Sequence, residues 1–115
     1  MKKILIADDD SEVVESIRVM LSPYYSVETA TTGLEVLELF DDNNYHGLII
    51  DVDFSYGISG LQTAAKLRLK DKTLRILVFS ATDYSDAVRQ YAVDMGATFC
   101  EKPLKLSQVQ RIMDF

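Results

Sequence analysis

Short apolar runs alternate along the chain with segments in which apolar residues recur every three or four positions. The apolar runs predict buried strands, whereas the longer spacing is typical of helices that bury one face. Five strands alternating with five helices favour a parallel sheet covered by helices on both faces, which is a three-layer α/β/α sandwich. The predicted strands cover residues 3–7, 24–29, 48–53, 74–79 and 97–99. Periodicity alone does not determine the order of the strands in the sheet.

Capping and turn residues indicate where the predicted helices begin and end. Asp9 or Asp10 opens the first helix, and Pro23 ends it. Ser59 is suited to cap the third helix, because its hydroxyl accepts from N–H groups of the first turn, and Gly96 fits the end of the fourth. The apolar positions of the five helices are Val13, Ile17, Met20 and Leu21; Leu34, Val36, Leu37, Leu39 and Phe40; Leu61, Ala64, Ala65 and Leu69; Val88, Tyr91, Ala92 and Met95; and Leu106, Val109 and Met113.

Composition and charge narrow the class of protein. The chain has 115 residues, of which 48% are hydrophobic and 26% charged, so we expect one globular domain over residues 1–115. The net charge of −6 argues against nucleic-acid binding, because phosphate neutralisation requires a basic surface. Cys100 is the only cysteine of the sequence, which suits a reducing compartment. No apolar run is long enough to span a bilayer, and we expect a cytoplasmic protein that does not bind membranes.

Polar residues stand at the carboxyl ends of four predicted strands. Asp8 and Asp9 follow the first strand, Asp51 lies near the end of the third, Ser80 follows the fourth, and Lys102 comes just after the fifth. Because the carboxyl ends of parallel strands emerge at one edge of the sheet, these side chains are expected to converge where such sheets bind ligands. Taken alone, each acid is an ordinary helix cap or turn residue, but their convergence favours a functional site.

The chemistry of this predicted cluster fits a magnesium site that receives a phosphoryl group. Neighbouring carboxylates repel one another unless a cation lies between them, and hard oxygen ligands are those that Mg²⁺ prefers. A lysine and a hydroxyl beside the ion offer the compensating charge and the hydrogen-bond donor that a phosphoryl group requires. No glycine-rich loop follows the first strand, which disfavours nucleotide binding of the P-loop or Rossmann type.

An acidic pair, a strand-end acid, a strand-end hydroxyl and a Lys-Pro pair, in this order and at these intervals, resemble the receiver domain of bacterial two-component response regulators (CheY-like). These residues are Asp8-Asp9, Asp51, Ser80-Ala81 and Lys102-Pro103. The resemblance extends over essentially the whole chain. It implies a flavodoxin-like fold with a five-stranded parallel sheet in the order 2-1-3-4-5, which agrees with the predicted alternation.

The resemblance also implies a role for each position. Asp51 would be the phosphoacceptor, receiving its phosphoryl group from a sensor histidine kinase or a phosphotransfer protein, and Lys102 would pair with the phosphoryl oxygens. Asp9 and Asp51 would bind Mg²⁺ directly, with Mn²⁺ as an alternative ion. Asp8 would bind the ion mainly through water, and the backbone carbonyl of Asp53 would add a ligand. Such a domain is a signalling phosphoacceptor that assists only its own phosphorylation and dephosphorylation.

Two further positions resemble the switch of this family. Ser80 would move to hydrogen-bond a phosphoryl oxygen, and Phe99 would turn inward as it does so. The resemblance implies that this coupling alters the surface of helix four, strand five and helix five, which would control an output domain or a downstream target protein and could carry a dimer contact. The Lys102–Pro103 peptide bond is expected to be cis, as in the family.

The sequence departs from the family pattern after Asp51. The run from this residue to Gly60 is one residue longer than usual and lacks the usual proline, so the loop over residues 53–60 is expected to have a different shape. Asp53 adds a carboxylate where the family often has an apolar or amide side chain. Its side chain could strengthen cation binding, bias hydrolysis of the acyl phosphate, or simply face solvent, and the sequence does not distinguish these three roles.

Two alternative functions share some of these features. The run Asp51-Val52-Asp53 resembles the nucleophile motif of haloacid-dehalogenase-like phosphatases, but in that class the motif lies on the first strand, and here another acidic pair precedes it. The second alternative is a pseudo-receiver that uses the fold only as a docking module. Retention of the five site positions argues against it, and the altered loop keeps it open.

Overall fold

The computed structural model describes residues 1–54, 57–80 and 86–114. Within these residues, the five strands form one parallel sheet in the order β2-β1-β3-β4-β5, which confirms the predicted architecture. The elements along the chain are β1 (Lys3–Ala7), α1 (Ser11–Leu21), β2 (Ser26–Ala30), α2 (Gly33–Asp42), β3 (Gly47–Asp51), α3 (Gly60–Lys70), β4 (Arg75–Ser80), α4 (Asp86–Asp94), β5 (Thr98–Glu101) and α5 (Leu106–Met113).

The sheet separates two apolar cores because successive side chains of a strand point to opposite faces. On β1, Ile4 and Ile6 pack on the face covered by α1 and α5, whereas Leu5 and Ala7 pack on the face covered by α2, α3 and α4. All five residues of β3 are buried, as expected for a central parallel strand covered on both sides. The continuous apolar run before Asp51 therefore reflects burial on both faces.

Two helix caps follow the capping residues of the sequence. Asp10, rather than Asp9, caps α1, and its side chain accepts hydrogen bonds from the backbone N–H groups of Glu12 and Val13. Ser59 caps α3, and its hydroxyl and the side chain of Gln62 form a reciprocal capping box. Such caps satisfy N–H groups that have no partner within the helix. They fix the points at which α1 and α3 begin, next to the carboxyl ends of β1 and β3.

The boundaries of four predicted strands, β2 to β5, were wrong by one or two residues, and β4 covers Arg75–Ser80 instead of 74–79. β2 begins at Ser26 instead of residue 24, because the N–H groups of both preceding tyrosines donate to the carbonyl of Leu21 and close the end of α1. β3 ends at Asp51 instead of residue 53, since the chain already turns there towards α3. β5 covers Thr98–Glu101 instead of 97–99, because the N–H group of Ala97 donates to a carbonyl of α4. Local hydrogen bonds at helix ends thus override the apolar pattern.

Some apolar residues expected on buried helix faces are exposed. Leu69 of α3 is 76% exposed and Tyr91 of α4 is 51% exposed. The residues that α3 buries are Gly60, Thr63, Ala64 and Leu67, which follow the three-to-four spacing of one helical face. Leu69 lies two positions beyond Leu67 and therefore points away from that face.

Leu67 and Leu69 form a matched pair for a stability test, since both are leucines of α3 and only the first is fully buried. Replacing Leu67 by alanine is expected to lower the free energy of unfolding by about 2–5 kcal/mol, because it leaves a cavity in the core. Replacing Leu69 by alanine is expected to change it by less than about 0.5 kcal/mol. Urea denaturation measures both values, and equal losses for the two variants would contradict the observed orientation of α3.

Among the described residues, no helix is both long and apolar enough to cross a membrane.

Candidate functional site

The carboxyl edge of the sheet gathers charged side chains from separate parts of the chain. Carboxylate oxygens of Asp8, Asp9 and Asp51 all lie within 4.8 Å of one another. The Lys102 Nζ lies 2.8 Å from Oδ2 of Asp8 and 3.6 Å from Oδ2 of Asp51. Ser80, the last residue of β4, is buried at the same edge. Parallel pairing of neighbouring strands places these residues side by side.

Asp8 is held rigidly although it is fully buried. Its backbone N–H donates to the carbonyl of Ala30, at 3.2 Å, and its Oδ1 accepts from the backbone N–H of Asp10, at 3.0 Å. Its other oxygen accepts the hydrogen bond of Lys102. A buried carboxylate is tolerated only when it is paired and hydrogen-bonded, and both conditions are met here.

The position of Asp51 depends on a glycine that begins α3. A Cβ atom on Gly60 would lie 1.5 Å from the backbone carbonyl oxygen of Asp51, so only a residue without a side chain lets α3 start this close to β3. The N–H of Leu61 then donates to the carbonyl of Val52, at 3.3 Å, and the N–H of Val52 donates to the carbonyl of Phe79, at 3.0 Å. These hydrogen bonds connect the segment after Asp51 to α3 and to β4. Sequence reasoning used Gly60 only to measure the loop and missed this close approach.

Lys102 is fixed by its backbone and by an aromatic ring. Its backbone N–H donates to the carbonyl of Ser80, at 2.9 Å, and its Nζ lies 4.9 Å from the centroid of the buried Phe79 ring. A ring face attracts a cation and shields it from water. The Lys102–Pro103 peptide bond is cis, as expected from the resemblance. Phe79 is a site residue that sequence reasoning treated only as part of a strand.

The charges at this edge change the acidity of Asp51. Burial raises its pKa to about 6, and the neighbouring charge of Asp8 acts in the same direction. The charge of Lys102 and the backbone N–H of Asp53 oppose this rise. For Lys102, burial disfavours the ammonium, but the hydrogen bond to Asp8 and the charge of Asp51 outweigh it, so its pKa is raised. The carboxylates therefore hold more negative charge than one lysine compensates.

This imbalance predicts a pH dependence of stability in the protein without added metal. The pKa of Asp51 is about 6 in the fold against 3.8 for an ordinary aspartate, so the folded state binds the proton more tightly than the unfolded state. Stability is expected to fall as pH rises from about 4 to about 6, by an amount on the order of 3 kcal/mol. Urea denaturation at several pH values measures this decline, and the Asp51→Asn variant should lack it. The same decline in both proteins would show that other groups cause it.

The remaining predicted site residues lie at or near the same edge. Asp9 is exposed beside the buried pair, and Asp53 is exposed two residues after Asp51. Phe99 is half-buried on β5, where it pairs in register with Val78. Ala81 of the Ser80-Ala81 pair and residues 55–56 of the lengthened loop lie outside the described residues.

The donor set fits a small, hard cation. Asp8, Asp9 and Asp51 offer three carboxylates, one of them exposed and two of them buried. Mg²⁺ is bound by one or two protein carboxylates with water completing its shell, which an exposed face of this cluster allows. A divalent cation here would also relieve the repulsion that raises the pKa of Asp51.

Comparison with known proteins gives consistent results. The family model of the response regulator receiver domain matches residues 4–114. Response regulator MprA from Mycobacterium sp. (strain KMS) is 38% identical over 109 residues, which cover 93% of this chain and 46% of that protein. The chain thus spans about half the length of this curated relative.

Two solved structures of one regulator are also similar. TrrA from Thermotoga maritima, in complex with Mg²⁺ and a beryllium fluoride, has a TM-score of 0.81 and 30% sequence identity, with 96% of this chain and 95% of that chain covered. TrrA in complex with the histidine kinase ThkA has a TM-score of 0.80 and 30% identity, with coverages of 96% and 94%. The sheet order, the family match over nearly all residues and these similarities agree, and this chain belongs to the response regulator receiver domain family.

Proposed function

We propose that this receiver domain accepts a phosphoryl group on Asp51 and that phosphorylation changes the surface formed by α4, β5 and α5. The observation that carries the proposal is the convergence of Asp8, Asp9, Asp51 and Lys102, with three carboxylates within 4.8 Å and the ammonium 3.6 Å from Asp51. We further propose that residues 1–115 form one such domain.

The proposed chemical step is a transfer to a carboxylate oxygen. A carboxylate oxygen of Asp51 forms a bond to the phosphorus of a phosphohistidine or of a small acyl phosphate. The bond from phosphorus to the donor's nitrogen or oxygen breaks, and its electron pair stays with the donor. Even without a metal ion, when its pKa is about 6, Asp51 is mostly ionised at neutral pH, and a bound cation would favour the ionised form further. The ionised carboxylate is the form that acts as a nucleophile.

The surrounding residues would stabilise the transferred group. Lys102 lies close enough to neutralise phosphoryl oxygens on Asp51, and preorganised charge of this kind is usually the largest contribution to phosphoryl transfer. Asp8, Asp9, Asp51 and the backbone carbonyl of Asp53 would hold Mg²⁺, or Mn²⁺ in its place. When bound, the ion supplies the positive charge that offsets the repulsion between the carboxylates and the incoming phosphoryl group.

The signal would leave the site through β4 and β5. Ser80 is buried at the end of β4 and pairs in register with Glu101 of β5, two residues beyond Phe99. Movement of Ser80 towards the phosphoryl group would let the Phe99 ring turn inward and change the face formed by α4, β5 and α5. An output domain, a target protein or a second receiver would read that face.

The proposed phosphoryl source is a sensor histidine kinase or a phosphotransfer protein. The 30% identical regulator TrrA was crystallised with a histidine kinase, which supports this class of partner. Binding of nucleic acid by this domain is not proposed, because the net charge is −6 and a phosphate backbone requires a basic face.

Beryllofluoride, a phosphoryl mimic, tests whether the site is competent. Titration with Mg²⁺ and beryllofluoride is expected to shift the NMR signals of Asp51 and of the Phe99 region in the same concentration range. Mg²⁺ alone should shift only the NMR signals of Asp8, Asp9, Asp51 and their immediate neighbours. An unchanged spectrum at saturating mimic would contradict the proposal and favour the pseudo-receiver alternative.

The phosphatase alternative predicts different kinetics. The match of residues 4–114 to the receiver family supports a phosphoacceptor. A haloacid-dehalogenase-like phosphatase would instead turn over a general phosphomonoester continuously, and would lose that turnover with Asp51→Asn. We expect the phosphomonoester to be hydrolysed no faster with the protein than in buffer without protein.

A further inference from the structure

The guanidinium of Arg89, on α4, covers the ring of Phe99, on β5. Its Cζ lies 4.7 Å from the ring centroid, which is within the range of a cation–π contact. The same side chain donates a hydrogen bond to Oε1 of Glu101, at 3.3 Å. Arg89 therefore joins α4 to two residues of β5 at once.

Strand geometry explains why one arginine reaches both residues. Phe99 and Glu101 are two positions apart on β5, so their side chains point to the same face of the sheet. That face carries α4, because Phe99 packs against the core that contains Ala92 of this helix. A planar guanidinium can lie on a ring face and direct N–H groups at a carboxylate at the same time, which a lysine ammonium does less well.

The two contacts have different strengths. Glu101 has a side chain that is 68% exposed, whereas Arg89 is 34% exposed. Solvent screens the ion pair with Glu101, so its main effect is to orient the guanidinium. The contact with Phe99 is partly shielded, because the ring is half-buried and packs against the core. Water therefore weakens the contact of Arg89 with the Phe99 ring less than it weakens the ion pair with Glu101.

We infer that Arg89 is a positioning residue that holds Phe99 in its half-buried setting and thereby opposes activation. This inference rests on the proposed function, in which the ring turns inward when Ser80 moves towards a phosphoryl group. An inward turn separates the ring from the guanidinium above it. Any contact that must be lost in the transition favours the state that has it, so Arg89 sets how much phosphoryl binding is needed to switch the domain.

The inference predicts a gain of response when the contact is removed. Arg89→Met keeps an unbranched apolar chain and removes the charge and the planar group. Its apparent affinity for beryllofluoride in the presence of Mg²⁺ is expected to increase about two- to fivefold. Without the mimic, the Phe99 ring signals should already shift part of the way towards their saturated position. Arg89→Lys should fall between this variant and the wild type.

Arg18→Met is the matched control. Arg18 also lies on a helix and pairs with a glutamate, Glu15, but this pair is on the surface of α1, so its removal should leave affinity and ring signals unchanged. Glu101→Gln probes the contact from its exposed side and should shift the ring signals less than Arg89→Met does.

NMR titration with beryllofluoride distinguishes the outcomes. A wild type that does not respond to the mimic would overturn the proposed function and this inference with it. A wild type that responds, together with an Arg89→Met variant of equal or weaker affinity and unshifted Phe99 signals, would overturn the inference alone. Tighter binding with shifted signals in Arg89→Met, and neither effect in Arg18→Met, would support it. A loss of thermal stability without these changes would indicate a purely structural role and would also overturn it.

Discussion

Replacing Asp51 by asparagine is expected to abolish phosphorylation of the domain by acetyl phosphate and Mg²⁺. The amide is close in size to the carboxylate, so the fold around Gly60 and Lys102 should persist, but its oxygen is too weak a nucleophile to form an acyl phosphate. The measurement is the fraction of protein that gains the mass of one phosphoryl group. Asp42→Asn is the matched control, since Asp42 is an exposed acid at the end of α2. Its loss should leave the phosphorylated fraction unchanged.

The same substitution is expected to stabilise the protein when no metal is added. Asp51 is buried beside Asp8, and its raised pKa of about 6 means that its charge costs folding free energy at neutral pH. Removing the charge should raise the free energy of unfolding by an amount on the order of 2–3 kcal/mol. Functional sites often hold charges that destabilise the fold in this way. A loss of stability in Asp51→Asn would contradict the electrostatic account of the site.

Replacing Lys102 by methionine is expected to slow phosphorylation by acetyl phosphate about 100-fold, the usual effect of removing one preorganised charged donor. Its Nζ lies 2.8 Å from Asp8 and 3.6 Å from Asp51. At this distance the ammonium can contact both carboxylates and a phosphoryl group on Asp51. The variant should also raise the pKa of Asp51, because the charge of Lys102 lowers it in the native protein.

Lys105→Met provides the control for this experiment. Lys105 lies three residues further along the chain and is exposed, so the same substitution there should leave the rate within about twofold of the wild type. The effect of both variants is measured as the initial rate at which the protein gains a phosphoryl group at saturating Mg²⁺. Equal rates for Lys102→Met and the wild type would exclude the lysine from the transfer step.

Much of the fold could be predicted because local pattern and global architecture agree. The buried run that ends at Asp51 and the alternation of strands with helices predict a parallel sheet, and parallel strands bring their carboxyl ends together. The strand order came from the resemblance to receiver domains, since periodicity carries no information about which strands are neighbours. The exposed Leu69 shows the limit of the apolar pattern, because an apolar residue on a helix does not have to be buried.

The finer geometry of the site could not be predicted because it depends on contacts between distant elements. Nothing local to Gly60 indicates that its missing side chain makes room for the carbonyl of Asp51. The preference of Lys102 for Asp8 over Asp51 follows from where β1, β3 and β5 end in three dimensions. The contact of Arg89 with Phe99 similarly arises only when α4 packs against β5.

Chemical trapping of the phosphorylated residue tests the central claim most directly. Borohydride reduces an acyl phosphate of aspartate to homoserine, and peptide mass spectrometry then identifies the position. After treatment with acetyl phosphate and Mg²⁺, we expect homoserine at Asp51 and unchanged aspartate at Asp8, Asp9 and Asp53. Homoserine at one of these other acids would contradict the assignment of Asp51 as the phosphoacceptor. Phosphorylated protein that yields no homoserine at all would contradict it as well.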